Sequence, residues 1–99
     1  MTRSREKAAS PFVNGLIMRT VGDGKLLFTA ANDMQKALEM LLGIKESEFW
    51  LSVDYLTKTG YLTQFIDGTS TIFRGDQLKL TYEGAGLLAG AIKDSKIVL

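Results

Sequence analysis

The sequence contains neither cysteine nor histidine, and these two absences exclude several classes of function. Without cysteine the chain forms no disulfide and no thiolate metal site. Without histidine it lacks the commonest metal ligand and the commonest general base of enzymes. Its carboxylates are dispersed, and no serine or threonine has a base beside it to activate it. We therefore predict a binding module that is not an enzyme and that uses no metal, cofactor or small-molecule substrate.

Long apolar runs are also missing. No segment reaches the length of a membrane span, and the N-terminal stretch MTRSREKAAS has no apolar core of the kind found in signal peptides. We expect a cytoplasmic chain that makes no membrane contact. Its 99 residues suffice for one domain with a single modest core.

An excess of positive charge is absent from the body of the chain. Arg3, Arg5 and Lys7 precede the predicted domain, and outside the first seven residues nine basic residues face ten acidic ones. A DNA-binding domain usually carries its positive excess on the folded surface. Residues 1–9 are predicted to form a flexible basic tail, which is either a solvated terminus or an arm that contacts phosphates.

Three segments with helical spacing follow the tail. Ser10 and Pro11 begin a helix at residues 10–21. In the second helix, Thr29 or Asn32 is expected as the N-cap, and Asn32 with Gln35 has the spacing of a capping box. The apolar stripe expected to face the core of this helix consists of Met34, Leu38 and Leu41, widened by Ala37 and Leu42, and Gly43 is expected to end the helix in a left-handed conformation.

The stretch DYLTKTGYLTQF joins a third helix to a strand. Phe49, Val53 and Leu56 form the core stripe of this helix, and Gly60 ends it. After Gly60 the period changes from 3.6 to 2, which predicts a strand that includes Leu62. A turn at 67–68, a short strand at 70–73 and the strand QLKLTY, with Leu78, Leu80 and Tyr82 on one side, come next, and EGAGLLAGAI predicts a short final helix.

This order predicts an α+β fold, a winged helix-turn-helix with three helices, a small antiparallel wing of two to three strands and a short C-terminal helix. The domain is expected at 10–94, followed by an apolar tail at 95–99. The sequence GAGLLA at 84–89 has the spacing of a dinucleotide-binding fingerprint, but too few residues follow it to complete the βαβ unit. Close helix packing explains its glycines better.

Three stretches, ANDMQKALEMLLG, DYLTKTGYL and QLKLTYEGAGLLAGAIKDSKI, resemble a small winged-helix family of Mu-like bacteriophages and prophages. The resemblance covers about residues 12–97. The residues that match the family pattern of the last stretch are Leu80, Thr81, Gly84, Leu87, Leu88, Gly90, Asp94 and Ile97. The resemblance implies a DNA-binding or regulatory protein of phage or prophage origin that acts in the host cytoplasm. Where that family has basic residues in its recognition helix, this chain has Trp50 and Leu51.

Two hypotheses about function follow. The first is a winged-helix protein that binds double-stranded DNA, in dimeric form, through the basic or hydroxyl-bearing residues of its tail, third helix and wing: Arg3, Arg5, Lys7, Lys45, Ser47, Lys58, Arg74 and Lys79. The second is a protein–protein or assembly adaptor that binds a partner or a second copy through its large apolar residues: Trp50, Leu51, Tyr55, Ile97, Val98 and Leu99. Fold-level analogy favours the first.

Overall fold

The computed structural model describes residues 8–22, 29–65 and 77–99, and they form an α+β fold with four helices and a small antiparallel sheet. The helices are α1 (Pro11–Gly22), α2 (Ala31–Leu42), α3 (Glu46–Lys58) and α4 (Tyr82–Leu88). The strands are β1 (Thr29–Ala30), β2 (Leu62–Phe65) and β3 (Gln77–Leu80). They lie in the order β1-β3-β2, so β3 is the central strand.

The core forms where α1 crosses α3 and where both pack against the sheet. The predicted stripe of α3 is confirmed, because Phe49, Val53 and Leu56 are all buried. Ile17 and Met18 on α1 are fully buried as well. The burial of these large side chains supplies most of the driving force for folding, at about 25 cal/mol for each Å² of apolar surface removed from water.

The corner between α3 and β2 has the predicted geometry. Gly60 adopts a φ of 89°. This left-handed backbone conformation is unfavourable for residues that have a Cβ atom. The Tyr61 N–H then donates to the Leu56 carbonyl over 3.0 Å, which closes the helix end. The Thr81 hydroxyl donates to the carbonyls of Gly60 and Tyr61 and accepts from the Gly84 N–H. Thr81 therefore caps α4 and holds the corner against it.

The register of the sheet agrees with the alternation in the sequence. Leu62 pairs with Leu80 and Gln64 pairs with Leu78. Leu62 and Leu78 are buried, whereas Lys79 between the two β3 leucines is exposed. The two-residue strand β1 was not predicted, because it is too short for its period to be recognised; it pairs with the other edge of β3.

Three details of the prediction are wrong. The N-cap of α2 is Ala30, which makes no side-chain cap hydrogen bond, and Gln35 donates to Glu39 instead of forming a capping box with Asn32. Leu41 is 75 % exposed and lies outside the core, and so do Ala37 and Leu42, which were expected to widen the stripe. Tyr82 begins α4 and is also exposed, so it does not continue the buried side of β3. For Leu41 the spacing predicted the helix but not the extent of its packing partners, and for Tyr82 it extended the strand two residues too far.

Residues 89–99, here the C-terminal segment, cross the face of α1. Ile97 is buried in the core, and the Val98 N–H donates to the Pro11 carbonyl over 3.0 Å. The buried Asn14 side chain donates from Nδ2 to the Lys96 carbonyl over 2.9 Å. A Cβ on Gly15 would overlap the Val98 carbonyl oxygen, so this glycine allows the close approach. Several predicted features lie outside the described residues: the tail with Arg3, Arg5 and Lys7, the turn at 67–68, the strand at 70–73, and Arg74.

Candidate functional site

The described residues of the DNA-binding hypothesis do not lie together on α3. Lys45 precedes the first turn, Ser47 lies in it, and Lys58 is the last residue of the helix. At 1.5 Å per residue, the two lysines are roughly 20 Å apart along the axis. The Lys58 ammonium lies 3.1 Å from the Asp54 carboxylate one turn earlier, and both side chains are exposed. The neighbouring carboxylate weakens the attraction that Lys58 was expected to exert on a phosphate.

Helices α2 and α3 carry more acid than base. Residues 31–58 contain three lysines and five acidic residues, which gives a net charge of −2. Glu46 and Glu48 occupy the first turn of α3, and the Glu48 carboxylate accepts from the Lys45 backbone N–H over 3.1 Å. A helix N-terminus attracts anions because of its dipole and its unpaired N–H groups. Here two carboxylates already occupy that end, and they repel a phosphate.

The residues of the adaptor hypothesis fall into three environments: half-buried, buried in the core, and exposed. Trp50 and Leu51 are half-buried on α3, and the Trp50 ring packs edge-on against Phe49 with 4.8 Å between centroids. Tyr55, also on α3, is half-buried and packs against the core. Ile97 is part of the core, whereas Val98 and Leu99 are exposed. Within this set, Val98 and Leu99 thus offer the most surface to a partner.

Two tyrosines on either side of the Gly60 corner bind one carboxylate of the C-terminal segment. The hydroxyls of Tyr55 and Tyr61 both donate to Oδ2 of Asp94, each over 2.9 Å. The other carboxylate oxygen, Oδ1, accepts from the Lys96 N–H over 2.8 Å. We call Tyr55, Tyr61 and Asp94 the tyrosine clasp. It ties the end of α3, the start of β2 and the C-terminal segment to one another.

The clasp is suited to structure more than to proton transfer. Burial, together with the hydrogen bond and the negative charge of Asp94, raises the pKa of Tyr55 to about 12, and the same causes raise the pKa of Tyr61. Burial acts to raise the pKa of Asp94, but hydrogen bonds from Lys96 and the two tyrosines outweigh it and lower that pKa. Near neutral pH the tyrosines stay protonated and the aspartate stays ionised, so all three hydrogen bonds persist.

The last turn of α2 exposes three consecutive large apolar side chains. Met40, Leu41 and Leu42 are between 55 and 82 % exposed. Successive helical residues point about 100° apart, so their joint exposure means that this end of α2 stands clear of the other described residues. The adjacent Glu39 is exposed, and the last turn contains no basic residue. We call Met40, Leu41 and Leu42 the α2 end patch.

A second exposed apolar group lies where the C-terminal segment meets the first turn of α1. Phe12, Val98 and Leu99 are between 51 and 55 % exposed, and we call them the C-terminal patch. Its charged neighbours are basic: Arg19 donates from Nη1 to the Val98 carbonyl over 3.4 Å, and Lys96 is exposed two residues before Val98. The surroundings of the α2 end patch are of mixed sign, because Lys36 and Lys45 are exposed near it as well as Glu39.

Three further observations on the described residues concern a cleft, metal binding and membrane spanning. A shallow cleft of about 360 Å³ lies beside Asp94, lined mainly by apolar residues of 87–99. Across residues 8–22, 29–65 and 77–99, no three acidic side chains converge in a way that could bind a metal ion. Nor does any helix within those ranges have the length and apolar character to cross a membrane.

Comparison with known proteins adds no relative. No family model, curated protein or solved structure matches this chain. The resemblance to winged-helix proteins of Mu-like phages stays a prediction, and so do the expectations that the chain is not an enzyme and that it is cytoplasmic.

Proposed function

We propose that the chain is a winged-helix module that binds another protein chain. Support for the winged helix comes from the element order α1-β1-α2-α3-β2-β3 and from the antiparallel sheet in which β3 lies between β1 and β2. The resemblance to Mu-like phage proteins adds the proposal of a phage or prophage origin. Both are arguments about the fold, and the fold alone does not decide what is bound.

The proposal of a protein partner rests on the charge and the exposed apolar side chains of α2 and α3. In a winged helix that binds DNA, this pair of helices faces the duplex, and lysine and arginine neutralise its phosphates. Here the pair has a net charge of −2 and exposes the α2 end patch. Clustered exposed apolar side chains mark protein contacts more often than DNA contacts. The exposed apolar turn beside an acidic helix is therefore the observation that favours protein.

A photo-cross-linking phenylalanine analogue in place of Leu41 should form covalent adducts with protein in cells that express the chain. The same analogue in place of Tyr82 is the matched control, because Tyr82 is even more exposed than Leu41 but lies on α4, outside both patches. We expect protein adducts at position 41 and none at position 82. Nuclease-sensitive adducts at position 41, or equal protein adducts at both positions, would contradict the proposal.

Binding to double-stranded DNA is the second candidate, favoured by the exposed Lys45, Ser47 and Lys79 at the start of α3 and on β3. On the protein-binding proposal, a fluorescent duplex of random sequence at low salt should show no saturable binding at tens of micromolar protein. DNA binding would instead give an affinity that falls with salt with a slope of about −0.9 per phosphate contacted. If the affinity for the duplex also falls in a Lys45→Gln, Lys79→Gln double variant, DNA binding would be the better-supported function.

A further inference from the structure

We propose that two copies of this chain exchange their C-terminal segments, so that the part of the segment beyond Gly90 lies on the other copy. The surface that the segment covers, here called the groove, consists of one face of α1 and the two clasp hydroxyls; its residues are Asn14, Gly15, Tyr55 and Tyr61. The inference goes beyond the protein-binding surface on α2 and does not depend on it. The occupant of the groove is visible in the structure, because the chain's own segment fills it.

The groove holds the segment by its backbone as well as by its side chains. Asn14 donates from Nδ2 to the Lys96 carbonyl over 2.9 Å. The Val98 N–H donates to the Pro11 carbonyl over 3.0 Å, and Ile97 is buried in the core. The segment of a second copy can make all of these contacts, because its sequence is the same. Exchange therefore costs none of the contacts that hold the segment.

The tyrosine clasp fixes the position of the segment along the groove. Both tyrosine hydroxyls donate to one oxygen of Asp94, three residues before the buried Ile97. A bound carboxylate and a buried isoleucine at this spacing allow one register only. Protein sites that bind extended peptides combine backbone hydrogen bonds with specific side-chain contacts in the same way. The segment therefore occupies the groove as a peptide ligand occupies its site.

The connection between α4 and the rest of the segment is a turn that requires a glycine. Gly90 has a φ of 85°, and a Cβ there would meet nothing within 4 Å, so only its backbone conformation disfavours other residues. The N–H groups of Ala91 and Ile92 close the turn on the Gly86 carbonyl, over 2.9 and 3.2 Å. Residues 89–99, all of them described, contain no helix or strand. The segment can therefore leave the groove about Gly90 without disrupting a helix or the sheet.

Reciprocal exchange gives a closed dimer, because each copy donates one segment and accepts one. The monomer competes with this dimer, since a short connection holds the chain's own segment at an effective concentration on the order of 1 mM. We therefore expect monomers at about 10 μM and a measurable dimer at about 1 mM, both followed by sedimentation velocity.

Replacing Gly90 with alanine should strengthen dimer formation at least tenfold, because the closed turn holds alanine in an unfavourable left-handed conformation that exchange releases. Gly43→Ala is the matched control. Gly43 has a φ of 70° and equal space for a Cβ, but it ends α2 and does not connect to the segment. This control should dimerise no more than the wild type. Equal dimerisation of the two variants, or a Gly90→Ala chain that stays monomeric at about 1 mM, would overturn the inference.

An equal mixture of two further variants distinguishes exchange from contact between outer surfaces. Gly15→Val blocks the groove, because its Cβ would overlap the Val98 carbonyl oxygen, and Ile97→Lys removes the apolar anchor of the segment. The first variant keeps an intact segment and the second an intact groove, so the mixture should form a 1:1 dimer and neither variant should dimerise alone. A dimer of either variant alone, or a monomeric mixture of two variants with native circular dichroism, would show that segments are not exchanged. If either variant fails to fold, the comparison of Gly90→Ala with Gly43→Ala decides.

Discussion

Replacing Gly84 with alanine should lower the free energy of unfolding by about 2 kcal/mol, although alanine is normally the better helix residue. A Cβ at this position of α4 would overlap the Tyr61 carbonyl oxygen and lie 2.9 Å from Cδ1 of Leu80. The Tyr61 carbonyl is backbone and accepts hydrogen bonds from Thr81, so it cannot move aside by a rotamer change. Overpacking of this kind costs about 3 kcal/mol, and the helix preference of alanine offsets about 1 kcal/mol.

Gly86→Ala is the matched control for this prediction. Gly86 lies in the same helix, and a Cβ there would meet only the end of the Ile92 side chain, at 3.1 Å. That side chain can rotate away, so we expect Gly86→Ala to change stability by less than about 1 kcal/mol. Urea unfolding measures both variants, and the Gly84→Ala melting temperature should fall by on the order of 10 °C. Equal stabilities for the two variants would show that α4 does not approach Tyr61 closely.

The sequence predicted α3 and its corner well because their determinants are local. Phe49, Val53 and Leu56 repeat at the helical period, and the glycine that ends the helix allows the left-handed backbone that the turn requires. The strand after it alternates at period 2. These features depend on residues that are close together in the sequence, so they could be predicted without knowing the rest of the fold.

The α2 end patch could not be predicted because periodicity gives the apolar face of a helix but not the extent of its packing partner. Leu41 continues the stripe of Met34 and Leu38, yet α2 reaches past the elements that cover the stripe. The tyrosine clasp was missed for a related reason. Tyr55 and Tyr61 lie 39 and 33 residues from Asp94, and no local spacing relates them.

The residues that carry the family resemblance have structural roles in this fold. Thr81 caps α4, Gly84 allows its close approach to the corner, and Leu87 and Ile97 are buried. Gly90 adopts a positive φ, and Asp94 receives the two tyrosine hydroxyls. A pattern made of such residues supports a prediction of fold. It carries no information about a ligand, which depends on surface residues outside the pattern.

Replacing Asp94 with asparagine should lower the free energy of unfolding at pH 7 by about 2 kcal/mol. Hydrogen bonds to a charged group contribute about 1.5–3 kcal/mol each, and asparagine keeps only one of the two accepting oxygens. Asp54→Asn is the matched control: it removes a carboxylate of an exposed ion pair with Lys58 and should cost less than about 1 kcal/mol.

The pH dependence of unfolding separates the stabilisation that comes from the negative charge of Asp94 from the stabilisation that comes from the packing of its side chain. The pKa of Asp94 is lower in the folded chain than its ordinary value of 3.8. Its contribution is therefore present above about pH 4 and is lost as the pH falls through the lowered pKa. The stabilities of the wild type and of Asp94→Asn should converge in acid. A difference that stays constant down to pH 2 would show that the carboxylate charge is not what stabilises the clasp.

The pH dependence of unfolding in alkaline solution tests the contribution of the tyrosine hydroxyls to the clasp. The pKa of Tyr55 rises from 10.0 to about 12 on folding, so its contribution is present below pH 10 and is lost as the pH rises towards 12. Tyr55→Phe should remove this part of the alkaline dependence, and a double-mutant cycle with Asp94→Asn should give a coupling energy of about 1 kcal/mol or more. Strictly additive effects would mean that the Tyr55 hydroxyl and the Asp94 carboxylate stabilise the fold independently, which the 2.9 Å hydrogen bond between them does not allow.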